Sequence, residues 1–182
     1  MTSPSPLRST PRRLVLPGAI ALVTVGVDLA TKGWAVEHLA GRPAVVVVPG
    51  LLTLELGVNP GTAFGLLGGG PRVWPVLLGV LVLAYLLWLG TRLPGSSAGS
   101  FGAAAIGLGL MLGGTVGNLY DRGWRIVDDG NPWGPGPRSG VVDFIGVARW
   151  PRFNLADAAL VVGAAVLLLG MLVAAARAST RD

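Results

Sequence analysis

Four predominantly apolar stretches of this chain, Leu14 to Val27, Val73 to Thr91, Leu93 to Tyr120 and Ala158 to Ala176, contain no Asp, Glu, Lys, Arg or His. Crossing the hydrocarbon of a bilayer takes roughly 20 predominantly apolar residues of helix, and three of the runs meet or approach that length. The first is extended by Leu29, Ala30, Trp34, Ala35 and Val36 past Asp28 and Lys32, giving a span of about Leu14 to Val36. Charged residues make up 13% of the chain, against roughly 25% in a soluble domain. The sequence therefore predicts an α-helical membrane protein with four transmembrane helices, over about 14–36, 73–91, 102–120 and 156–176. A cleaved secretory signal is a poorer reading of the first run, because charges interrupt it and no small-x-small site closes it.

Four spans put both termini on one side. The tails and the short loop after the second span hold Arg8, Arg12, Arg13, Arg92, Arg177 and Arg181 against a single acid, Asp182. That side is expected to be cytoplasmic, since cytoplasmic loops carry the excess of Lys and Arg. The other side balances Lys32, Arg42, Arg72, Arg122, Arg125, Arg138, Arg149 and Arg152 against Asp28, Glu37, Glu55, Asp121, Asp128, Asp129, Asp143 and Asp157. The basic excess thus follows topology, and no concentrated basic patch points to nucleic acid.

Between the spans the character changes. Residues 1–13 and 177–182 read as cytoplasmic tails, the first of them disordered. From Pro43 to Leu56 a β-branched run, Val45 to Val48, precedes period-two alternation over Leu52 to Leu56, with Pro49 and Gly50 between them. This predicts a small outer strand pair. Gly57 to Gly70 reads as a loop at the membrane surface, ending in three glycines able to form a lid with the ribbon. Gly107, Gly109, Gly113, Gly114 and Gly117 in the third span are small residues that let helices pack closely in lipid. The segment 121–152 carries Trp124, Trp133 and Trp150, and tryptophan favours the interface.

The polar groups of the outer face define the chemistry available. Asp28 and Lys32, four apart on one helix, read as a compensated pair; Asp121 beside Arg122 reads as an interfacial ion pair, and Asp128 and Asp129 as solvated loop residues. Asn118 and Asn154 either tie helix ends together or face a substrate. Asp143 lies within Val141, Val142, Phe144 and Ile145, and Asp157 stands one turn into the last span after Phe153, Asn154, Leu155 and Ala156. Carboxylates in such surroundings have their charged form disfavoured. If the connection between them folds back, they can act as acid and base on one water, a role for which Asp28 and Asp121 also compete. With no cysteine and one histidine, His38, thiol nucleophiles are excluded and a metal site is poorly supported. Templates for a serine, metal-dependent or phosphoryl-transferring membrane enzyme all lack their motifs, while a tetraspan scaffold and a small ion transporter stay open.

Five motifs taken in order, Asp28 to Lys32, Asn59 to Gly65, Gly113 to Arg122, Val141 to Phe144 and Phe153 to Asp157, resemble those of the lipoprotein signal peptidase family, signal peptidase II. The resemblance covers about residues 14 to 176. It implies an aspartyl endopeptidase of the bacterial cytoplasmic membrane that removes prolipoprotein signal peptides just before a diacylglyceryl-modified cysteine, with no cofactor and a site near the outer face; because one four-span unit holds every motif, a monomer is expected. Carried over by motif, Asp143 and Asp157 are the catalytic dyad. Asn59, Asn118, Arg122 and Asn154 line the substrate pocket, with Asn59 and Arg122 placed to bind substrate carbonyls, while Asp28, Lys32, Asp121 and Gly61 support it. The region about 43–64, between the first two helices, corresponds to the family's outer β-cradle. Two features depart from the family: Leu29 replaces its usual glutamine, and Gly123 to Val142 is longer than usual, so that Asp128 to Ser139 is expected to be a flexible surface excursion.

Overall fold

A computed structural model describes residues 10–61, 73–92, 98–128 and 136–180. Four helices, α1 (Thr10–Leu39), α2 (Val73–Arg92), α3 (Ala98–Trp124) and α4 (Leu155–Ser179), each contain a stretch long and apolar enough to cross a membrane. Five strands lie between them: β1 (Val45–Val48) and β2 (Leu52–Asn59) after α1, then β3 (Ile126–Val127), β4 (Arg138–Ser139) and β5 (Val141–Val147) between α3 and α4. Of the apolar stretch in α3, 61% is buried inside the protein, against 11–17% in the other helices. α3 is therefore the post around which the others pack. Leu22, Val23, Leu81, Val161, Leu168 and Leu172 remain outward-facing, as lipid-solvated side chains do.

Glycine lets α3 take this position. Gly109, Gly113 and Gly117 stand four apart and face α1, while Gly107 and Gly114 face α4. A methyl group on Gly113 would lie 2.5 Å from Thr24 Cβ and 2.8 Å from the Ala21 carbonyl oxygen, and one on Gly117 would run into the Asp28 carboxylate. Close backbone approach of this kind is how helices gain dispersion contact in lipid, where no hydrophobic force drives them together. On α1, apart from Pro17 near its start, the stripe Asp28, Lys32, Ala35 and Leu39 is buried. Its lower half carries charge into the bundle, and its upper half packs under the sheet.

That sheet has the antiparallel order β1, β2, β5. Gly50 makes the β1–β2 turn with a φ of 72°, a left-handed conformation that costs glycine little. Leu54, Leu56 and Val58 of β2 pack with Val142 and Phe144 of β5 on Ala35, Leu39 and Val127. The register pairs Leu54 with Ile145 but Gly57 with Asp143, so β2 carries one extra residue between them. This bulge sets Gly57 and Asn59 on the face that carries the Asp143 side chain. After β5 the chain turns back, and Phe153 exchanges backbone hydrogen bonds with Ile145 at 2.9 and 3.0 Å. Asn154 and the start of α4 thereby come to lie beside Asp143.

Three expectations are corrected here. Thr10 to Arg13 are helical and not part of a disordered tail, since Pro11 in a first turn gives up no hydrogen bond; residues 1–9 lie outside the described residues. The third span continues past Tyr120 to Trp124, because Asp121 is paired inside the protein and not exposed at an edge. The segment 123–142 is not a plain excursion: β3 and β4 pair within it, and Val127 is buried beneath the sheet. Residues 62–72, with the glycines proposed as a lid, lie outside the described residues, as does Asp129.

Candidate active site

Two linked clusters build the site. The first is a buried charge network. Lys32 Nζ meets Asp28 Oδ2 at 2.8 Å and Asp121 Oδ2 at 3.0 Å, and it donates to Asn118 Oδ1 at 2.9 Å. An ammonium has three donors, and each finds an acceptor here. Arg125 Nε pairs with Asp121 Oδ1 at 2.7 Å, so two carboxylates face two cations and the network is neutral. Asp28 and Asp121 do more than balance charge. Asp28 Oδ1 accepts the Ala156 N–H at 2.9 Å, and Asp121 Oδ2 accepts the Val142 N–H at 3.1 Å. One carboxylate holds the first turn of α4, where Asp157 sits, and the other holds β5 next to Asp143. Asp121 is thus partnered by Lys32 and Arg125, not by Arg122 as adjacency suggested. The i,i+4 spacing of Asp121 and Arg125 was the signal that identifies the true partner.

The second cluster is centred on Asn154, the residue that caps α4. Its Oδ1 accepts the Asp157 N–H at 2.9 Å, and Asp157 Oδ2 in turn accepts the Asn154 N–H at 3.3 Å. This reciprocal arrangement is a capping box, and it orients the Asp157 carboxyl back toward the helix start. Asn154 Nδ2 donates to Asp143 Oδ1 at 2.7 Å and to Asn118 Oδ1 at 3.3 Å. Asn118 Nδ2 donates to Asp157 Oδ1 at 2.8 Å, and Asn59 Nδ2 to Asp143 Oδ2 at 3.1 Å. Asp143 and Asp157 therefore flank Asn154 and share its side chain. Asp143, Asn118 and Asn154 are buried, whereas Asp157, Asn59 and Arg122 are partly open.

Asn59 and Arg122 are already engaged. Asn59 Oδ1 accepts the Gly61 N–H at 3.0 Å, and Arg122 donates to the carbonyls of Gly61 and Asn118 at 3.1 and 3.2 Å. Arg122 thus ties the end of α3 to the turn after β2, beside a hollow lined by Pro60, Pro75, Ser139 and Gly140. Asp28, Lys32, Asp121, Asn118, Asn154, Asp143, Asp157 and Asn59 lie in one cluster or the other, with Arg122 and Gly61 beside them, whereas His38 bonds only within α1 and Asp128 belongs to neither cluster. Arg125 and the backbone N–H groups of Val142 and Ala156 join them.

Burial pushes the Asp143 carboxyl up from 3.8 to about 6, and the charge of Asp157 adds to the rise; hydrogen bonds from Asn59 and Asn154 oppose it. A carboxyl raised in the folded state binds its proton more tightly there than in the unfolded chain. Stability from this group is therefore gained as pH falls through about 6 toward 3.8 and lost as pH rises. The interval corresponds to about 3 kcal/mol as an upper figure. Relative to Asp143→Asn, the wild type is expected to gain thermal stability steadily between pH 7.5 and 4, measured by unfolding in detergent at matched pH. A difference independent of pH would contradict a raised carboxyl at this position.

The signal peptidase (SPase) II family profile aligns with residues 20–173. The chain belongs to the signal peptidase II family. It is accordingly a membrane-embedded protease of the aspartic class. Similar proteins named lipoprotein signal peptidase occur in Mycobacterium leprae (strain Br4923), 38% identical over 87% of this chain and 72% of the relative, and in Rhodococcus jostii (strain RHA1), 38% identical over 92% and 77%. A bacterial membrane enzyme solved by the in meso method at 2.3 Å resolution shares the fold, with a TM-score of 0.66 at 24% identity over 85% of each chain. A second such structure, at 1.9 Å, superimposes with a TM-score of 0.63. The chain carries the Asp143 and Asp157 carboxylates together at one end of its helical bundle, beside the three-stranded sheet.

Proposed function

We propose that the chain cleaves the signal peptide from diacylglyceryl-modified prolipoproteins, N-terminal to the lipidated cysteine, with water activated between Asp143 and Asp157. The observation that carries this reading is the Asn154 bridge, whose side-chain amide and backbone N–H hold two carboxyl groups from separate elements. Adjacent carboxyls of this kind hold one proton between them. The ionised member takes a proton from water as its oxygen attacks the scissile carbonyl carbon. The protonated member then gives its proton to the leaving nitrogen as the C–N bond breaks. Asn59, Asn118 and Asn154 orient the pair, Arg122 and Gly61 shape the turn beside it, and Asp28, Lys32 and Asp121 hold the elements that carry it. No metal and no other cofactor is required.

Residues 14–176 act as one peptidase unit, a monomer in the bacterial cytoplasmic membrane, with both termini cytoplasmic and the site near the outer face. The substrate enters sideways between helices with its acyl chains in the bilayer. The lipid sets the depth at which the scissile bond meets the carboxyls, because each buried CH₂ contributes about 0.8 kcal/mol to anchoring. A precursor whose cysteine is unmodified is therefore expected to be cleaved about a hundredfold less efficiently, equivalent to about 3 kcal/mol. The test compares kcat/KM for modified and unmodified forms of one precursor in the same micelles. Equal cleavage of the two would overturn the assignment of substrate.

A further inference from the structure

On β2, Leu54, Leu56 and Val58 turn to the core, so Thr53, Glu55, Gly57 and Asn59 share the opposite face. That face carries the Asp143 carboxyl, which stands across from Gly57 in register and is bonded to Asn59. Arg152, from the loop before α4, lies across the same face where glycine leaves it bare. A methyl on Gly57 would be 3.4 Å from Arg152 Nε and 3.5 Å from its Cζ, and one on Gly146 would be 3.9 Å from its Cγ. Arg152 Nη1 meets Glu55 Oε1 at 2.7 Å, with the two side chains 42% and 47% exposed. The result is a shallow trough whose glycines are covered by the Arg152 side chain and, at Gly146, by Thr53 Oγ1, with one ion pair across it. It begins at Asp143 and extends from Gly57 to Thr53, about 13 Å for four residues of strand.

An ion pair this exposed contributes only about 0–1 kcal/mol to stability, so stability alone does not explain its place beside the carboxyls. Its effect is to hold the guanidinium flat over the trough. A guanidinium carries five N–H donors, more than the Glu55 contact uses. The pair is also neutral as a whole, which suits contact with backbone better than selection of one charge. The trough runs away from the helix ends, toward the outer tip of the sheet. A precursor whose apolar signal segment stays in the bilayer can lay only the residues after its scissile bond there.

We infer that Arg152 is a specificity-determining residue for the peptide segment that follows the scissile bond, donating to main-chain carbonyl oxygens of that segment as it lies extended in the trough. This rests on Asp143 and Asp157 being the cutting pair. Two modified precursors test it, one ending at the lipidated cysteine as an amide and one continuing for ten residues. With the long precursor, Arg152→Ala is expected to raise KM about tenfold with kcat nearly unchanged, the size of one lost charge-assisted hydrogen bond. With the short precursor, wild type and Arg152→Ala should agree within about twofold. Arg152→Lys, which keeps charge but loses the planar fork, should restore less than half of the effect. Equal losses on both precursors would make Arg152 merely structural, and no loss on the long one would remove it from substrate contact; either overturns the inference. Asp143→Asn, run alongside, separates the two readings. If it still cleaves, the cutting pair and this inference both fall; if it is inactive on both precursors, the pair stands whatever Arg152 does.

Discussion

Replacing Lys32 with Met is expected to destabilise the folded protein by about 3–5 kcal/mol, the cost of leaving buried charges without their partner. Lys32, Asp28 and Asp121 are all fully buried, and the ammonium is the group that meets both carboxylates. Met fills nearly the same volume, so the loss is not one of packing. It strands two like charges in a medium that solvates them poorly, with Arg125 beside only one of them. A protein domain is typically stable by about 5–15 kcal/mol, so the variant stands near the edge of folding. The damage also has a direction. Asp28 and Asp121 hold the N–H groups of Ala156 and Val142, so their relaxation loosens the anchors of Asp157 and Asp143 together. Thermal unfolding in detergent measures the effect, and a loss under about 1 kcal/mol, the size of a surface ion pair, would contradict a buried network of this kind.

Asp143→Asn and Asp157→Asn are expected to act in the opposite sense, leaving the fold nearly intact and removing the chemistry. Each substitution keeps the shape of the side chain and one acceptor oxygen. At Asp157 the remaining oxygen can serve either the Asn118 amide or the Asn154 N–H, but not both. The structural cost is therefore about one hydrogen bond, near 1 kcal/mol. An amide neither takes a proton from water nor gives one to a leaving amine. General acid and base catalysis contribute about 10²–10⁴-fold each, so kcat is expected to fall by about a thousandfold or more at either position. Saturating kinetics on a modified precursor, with melting recorded on the same samples, separate the two effects. Activity within tenfold of wild type in a folded variant would contradict the role given to that carboxyl.

The four helices were legible because a long run without charge has few other solutions than a membrane span. The β1–β2 ribbon was legible from valines followed by period-two alternation. What local pattern did not convey was pairing across distance. Asn59 and Asp143 are 84 residues apart, and their meeting depends on β5 joining β2 in a register with one extra residue. Val141 to Val147 read only as an apolar run around a carboxylate, with no turn signal to name its partner strand. The end of α3 was placed too early because Asp121 and Arg122 look like an interface, and only the fold reveals that Lys32 comes across from α1 to bury Asp121. Asn154 and Asp157, by contrast, stand at the spacing of a capping box in the sequence itself. That pattern foretells the helix start and the direction of the Asp157 carboxyl, though not the arrival of Asp143 beside it. Arg152 and Glu55 pair across 97 residues of chain and left no sequence signal.

The most direct measurement is the mass spectrum of the products after a diacylglyceryl-modified precursor is incubated with purified wild type and, in parallel, with Asp157→Asn. The account predicts that wild type yields a fragment whose first residue is the modified cysteine, together with the intact signal peptide, and that Asp157→Asn yields neither. Full product from the folded variant, or a wild-type cut at any other bond, would contradict it.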